Sequence, residues 1–234
     1  MQENQAEKHP HIPARRVIDR IVLGGSDGAI EGVSLTAALD GAALGSRTIL
    51  LAGLAFAVAG GLSMFFSSYL SSRSELNSLR IDIQREKMEI ETEPEEERKE
   101  LEELLKSEGY AQKEVDVIMG RLLKDKAMWL REQLRRELRL HVEDLQEDLL
   151  SKPAAAGLAF VGLALFAVTP YGLVQGRLVA VASSLVLTLT ALFVLSSRAF
   201  IPRNFNPKAG LESVLIGSFA ASVLFILGLA VSTL

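Results

Sequence analysis

The chain has 234 residues, 49% of them hydrophobic and 23% charged, with a formal net charge of −4. It has no cysteine, which excludes disulfide frameworks, thiolate zinc sites and iron–sulfur clusters. The negative balance, with basic residues that alternate with acids, argues against a nucleic-acid-binding surface.

Charge is unevenly distributed. Most of the 29 acidic residues lie within 75–152, while long stretches on either side carry almost none, so the chain is built for two solvents. The domain plan that follows is a polar tail over 1–17, membrane helices over 18–74, a charged insert over 75–152 and further membrane helices over 153–234.

The tail contains Pro10, Pro13 and the pair Arg15 and Arg16, and it lacks the apolar stretch of a cleavable signal peptide. His9 and His11 are read as ordinary residues of a polar terminus. Beyond the tail, five segments approach the roughly 20 apolar residues that a helix needs to cross a bilayer of about 30 Å. They lie near 18–42, 48–72, 154–173, 176–198 and 209–233, and the last four have uncharged centres.

The first span carries Asp27 and Glu31, and these share a helix face with Ser34 because the spacing is four and then three. Gly24, Gly28 and Gly32 form a second, narrow strip, and Gly53, Ala57 and Gly61 repeat the device in the second span. Small residues at every fourth position let helix backbones approach closely, which predicts a compact bundle or a dimer. An intramembrane acid such as Asp27 points by default to an ion or proton path.

Arg15, Arg16 and Arg20 precede the first span, and Arg198, Arg203 and Lys208 separate the fourth from the fifth, whereas Arg47 and Arg177 stand alone on the other side. The positive-inside rule then predicts a cytoplasmic N-terminus and insert, with the C-terminus opposite.

From Ser74 the second span is expected to continue as a helix, with Leu76, Leu79, Ile83 and Ile90 at helical spacing. Thr92, Pro94 and Glu95 read as the start of a second helix over 94–107, which Gly109 ends. A third pattern runs from 111 to 150 through Met119, Leu122, Leu130, Leu134 and Leu138. The predicted fold class is therefore all-α: an integral membrane protein of five transmembrane helices with a three-helix cytoplasmic domain between helices 2 and 3.

Glu86 and Glu89 lie three apart on one helix, and Glu97 and Glu100 do the same on the next. Each pair can converge on one hard or borderline divalent cation, or it can form an ordinary solvated face balanced by lysine and arginine. Spacing alone leaves both readings open. No enzymatic constellation accompanies them, because His141 has no nucleophile or glycine-rich loop nearby.

The segments "SDGAIEGVSL", "AGGLSMFFSSYLS", "EKMEIETEPEEERKELEELLKSEGY" and "DKAMWLREQLRRELRL" occur in an order and spacing that resemble the vacuolar iron transporter family, from about Arg20 to Leu234. The resemblance implies a five-span homodimer in the lipid bilayer that exports cytoplasmic Fe2+, and often Mn2+, in exchange for protons. It further implies that Glu86, Glu89, Glu97, Glu100 and Glu137 bind metal in the cytoplasmic domain, and that Asp27 and Met64 line the membrane path. The metal is cargo, and no tightly bound cofactor is expected.

Met64, by residue type alone, reads as a core side chain. The chain departs from the family pattern at Ser68, where members commonly carry glutamate, at Phe56, where some members do, and at Gln133 and Leu134, which replace a methionine pair. Glu31, one turn from Asp27, is a candidate replacement that accepts a proton or shares the ion. The expected function is metal export by proton antiport, and the alternative is a membrane-anchored metal buffer or sensor that transports nothing.

Overall fold

A computed structural model describes residues 12–137, 149–198 and 205–233, with side chains from residue 17. His9, His11, His141, Leu138 and Arg203 lie outside the described residues, as do the side chains of Arg15 and Arg16. The described elements are all helices: α1 (Ile12–Gly41), α2 (Ser46–Thr92), α3 (Pro94–Ser107), α4 (Gln112–Leu122), α5 (Lys126–Arg136), α6 (Ser151–Val168), α7 (Pro170–Leu173), α8 (Arg177–Ser196) and α9 (Pro207–Ser232). They divide into two compact units, one of Met1–Leu70 with Leu149–Leu234, the other of Ser71–Asp148.

In the first unit, α2, α6, α8 and α9 are each long and apolar enough to cross a membrane. Their outer faces expose Leu51, Leu62, Phe66, Leu158, Phe219 and Ile226. In water such surface would be far more apolar than a soluble protein tolerates, and in lipid it is the expected exterior. The fifth predicted span, α1, forms as a helix but carries Asp19, Asp27, Glu31 and Asp40, and it falls outside the four apolar spans.

α1 packs mainly on α6 and next on α9. Its glycine strip explains how. A methyl added at Gly24 would stand 2.2 Å from the carbonyl oxygen of Ala156, and one at Gly28 would stand 2.2 Å from that of Phe160. At Gly32 it would meet Ala164 at 3.1 Å. The small-residue strip of α2 also faces α6: Gly53 opposes Val168, Gly61 opposes Val161, and Ala57 is buried with Phe160 and Ala164. Both strips thus serve packing within one chain.

The third predicted span is interrupted: α6 ends at Val168 and a single turn, α7, begins at Pro170. Proline lacks the backbone N–H that a continuous helix would need there.

The second unit is built from the C-terminal part of α2 with α3, α4 and α5. Its core consists of Ile90, Leu101, Leu105, Val115, Met119, Leu122 and Trp129. Leu101 and Leu105 are fully buried, and each contributes about 1.5–3 kcal/mol by removing apolar surface from water. Gly109 ends α3 at φ +98°, a conformation that favours glycine.

Two local expectations change. Thr92 does not cap α3; its hydroxyl donates back to the Met88 carbonyl, and Glu93 takes the N-cap position. The described part of the predicted third helix is two helices, because Asp125 caps α5 by accepting hydrogen bonds from the backbone N–H of Ala127 at 2.9 Å and Met128 at 3.4 Å. An aspartate with that geometry starts a new helix within what hydropathy reads as one.

Candidate metal centre

The periodicity that buries Ile90 and Leu101 carries Glu86 and Glu97 inward on the same helices. Glu86 is 2% exposed and Glu97 6%, an unusual state for carboxylates. Glu137, just beyond α5 and exposed, completes the group: one oxygen from each of the three lies within 4.8 Å of the others. Glu89 and Glu100 are not in this triad, but their charges act on it.

The electrostatics follow from the crowding. Burial, reinforced by Glu137, Glu97 and Glu89, pushes the Glu86 carboxyl up to about 8. Burial, with Glu100, Glu137 and Glu89, raises Glu97 to about 6. Glu137 is raised by burial and by Glu100, while a hydrogen bond from Gln133 opposes the shift. Three carboxylates this close either share protons or hold a cation.

The surrounding hydrogen bonds do not satisfy the group. Gln133, fully buried, donates from Nε2 to Glu97 Oε2 at 2.5 Å and to Glu137 Oε2 at 3.5 Å. Oε1 of Glu86 is buried without a hydrogen-bond partner. A lone buried carboxylate oxygen is costly, and here it faces a set of oxygen donors suited to a hard or borderline divalent ion.

The membrane residues are less concentrated. Asp27 is half-buried and Glu31 exposed, close enough for their charges to interact. Met64 and Phe56 each pack against the Ala57, Phe160 and Ala164 cluster. Ser68 stands buried with an unpartnered hydroxyl, as does Ser34 on α1. No close group of three or more His, Cys, Asp or Glu side chains includes Asp27 among the described residues.

The family model described as the VIT family matches residues 18–229. The chain belongs to the VIT family. It is 31% identical over 227 residues to "Vacuolar iron transporter 1" of Eucalyptus grandis, covering 97% of this chain and 91% of that one. It is 31% identical over 226 residues to the protein of that name from Arabidopsis thaliana, covering 96% and 89%. To the "Vacuolar iron transporter" of Plasmodium falciparum it is 26% identical over 219 residues, covering 89% and 80%.

A VIT family chain with four such apolar helices is an integral membrane protein, and it is not an enzyme. Two features of this member escaped sequence reasoning. Arg177, at the start of α8, donates from Nε to Oδ1 of the buried Asp40 at 2.8 Å and contacts its backbone carbonyl. Isolated opposite charges at the ends of two apolar segments were the available signal. The other is Trp129, whose indole N–H donates to Gln133 Oε1 at 2.8 Å.

Proposed function

We propose that the chain exports cytoplasmic Fe2+, and Mn2+ as a second cargo, by proton antiport as a homodimer. Glu86, Glu89, Glu97, Glu100 and Glu137 capture the ion on the cytoplasmic side, which also holds the N-terminus, and the C-terminus lies opposite. α1 is the fifth span. Asp27 and Met64 line the membrane path, where Asp27 alternates between metal and proton, and Glu31 receives a proton or shares the ion.

The observation that carries this reading is the unpartnered, buried Oε1 of Glu86 beside two further carboxylates. The names of the relatives add the cargo. The homodimer draws support from Glu31, an exposed acid on α1 that a second copy would shield from lipid.

A membrane-anchored metal buffer is the competing reading, favoured by the packing of Met64 against the apolar Ala57, Phe160 and Ala164 cluster. Fe2+ flux into proteoliposomes separates the two. Transport predicts flux that drives protons outward and is lost in Asp27→Asn. Metal binding without flux, or flux indifferent to Asp27→Asn, rejects the transport mechanism.

A further inference from the structure

The fully buried amide of Gln133 sits between an indole and the carboxylates, and only one orientation of it satisfies both sides. The indole nitrogen of Trp129 can only donate, so the atom 2.8 Å away must be the Gln133 carbonyl oxygen. The amide nitrogen is thereby turned to Glu97 and Glu137, to which it donates at 2.5 and 3.5 Å. Trp129 is itself buried in the core of the second unit, so its N–H has no water to turn to if the glutamine rotates.

We infer that Gln133, locked by Trp129, is a positioning and specificity-determining residue that restricts the glutamate cluster to all-carboxylate coordination. The inference rests on reading that cluster as a metal centre. Gln133 reaches the site yet cannot ligate, because its one basic atom is committed to the indole. Its two N–H bonds instead fix an oxygen of Glu97 and an oxygen of Glu137 and leave their remaining lone pairs for the ion. Partners that orient ligands in this way tune both affinity and selectivity.

An all-oxygen carboxylate shell selects hard ions by charge and size, and it offers nothing that favours softer ones. A thioether of similar length at position 133 would remove the donor and add a soft ligand at the same place. The glutamine therefore sets where the site stands between Mn2+ and a softer ion such as Cd2+.

The test is calorimetric titration of the purified full-length protein in detergent with Mn2+ and with Cd2+, comparing wild type, Gln133→Met and Glu86→Gln. The expected result is that Gln133→Met shifts the ratio of Cd2+ to Mn2+ affinity at least tenfold toward Cd2+. A ratio that stays within twofold while both ions still bind overturns the role of Gln133 and leaves the metal centre standing. Wild type that binds neither ion, or Glu86→Gln that binds as wild type does, overturns the metal centre and this inference with it.

A second measurement needs no variant. Trp129 is the single tryptophan, so the hydrogen-bond-sensitive indole band in ultraviolet resonance Raman reports its N–H alone. The band is expected to keep its hydrogen-bonded position when Cd2+ saturates the protein. A shift to the unbonded position means that Gln133 has turned to the ion, and the lock is rejected.

Discussion

Gly28 meets Phe160 backbone to backbone: a methyl on Gly28 would lie 2.2 Å from the Phe160 carbonyl oxygen and 2.8 Å from its carbon and Cα. No side-chain rotation can relieve such a clash. Gly28→Ala is expected to cost about 1–3 kcal/mol through forced separation of α1 and α6. Gly120, inside α4 with open space around it, is the control, since Gly120→Ala should stabilise by about 0.4–1 kcal/mol. Thermal unfolding in detergent reads both, and equal effects would contradict the close approach.

The cluster makes the stability of the metal-free protein depend on pH. Glu86 at about 8 and Glu97 at about 6 both lie above the ordinary value of 4.5, so the folded chain holds protons that the unfolded chain releases. Their contribution is fully present below about pH 4.5 and is lost as pH rises through 6 and then 8. With chelator present, the unfolding midpoint followed by Trp129 fluorescence should fall between about pH 5 and 9. Glu86→Gln should flatten the upper part of that slope, and a midpoint that rises over the same range would rule the arrangement out.

Arg177 pairs with an Asp40 that is only 4% exposed. Arg177→Ala should therefore lower the unfolding midpoint by leaving a buried carboxylate without its partner. Adding Asp40→Asn to Arg177→Ala should recover part of the loss. A double variant as unstable as the sum of the singles would show that the two residues do not act as a pair.

The cap at Asp125 supplies a simpler check. Asp125→Ala removes the acceptor for two backbone N–H groups of α5 and should cost about 1 kcal/mol, whereas Asp125→Asn should cost less. Hydrogen exchange at Ala127 and Met128 should quicken in the alanine variant only.

Hydropathy blocks made the helices of the first unit legible, and helical spacing did the same for α3, since both depend on residues close in sequence. The breaks were harder to see. Asp125 and Pro170 interrupt patterns that an average over a window smooths across. The glycine strips announced close packing but not its partner, because a strip on α1 fits any neighbouring helix. It took three dimensions to identify α6.

The candidate site divides in the same way. Spacing pairs Glu86 with Glu89 and Glu97 with Glu100, each along one helix, whereas the structure groups Glu86, Glu97 and Glu137 from three different elements. Only the family resemblance put Glu137 beside the others, for nothing local to it signals a ligand. Gln133 entered as a departure from a family pattern, and its orientation became readable only with Trp129 in place.

The unpartnered oxygen of Glu86 has a consequence for the protein's lifetime. Under the proposed capture role, an ion that binds only the folded insert adds about 2.7 kcal/mol of stability at a hundred times its dissociation constant. That is a sizeable share of the roughly 5–15 kcal/mol that holds a typical domain together. Empty protein would then open more often and be degraded sooner than loaded protein. Cellular abundance would follow metal supply through turnover alone, with no change in synthesis.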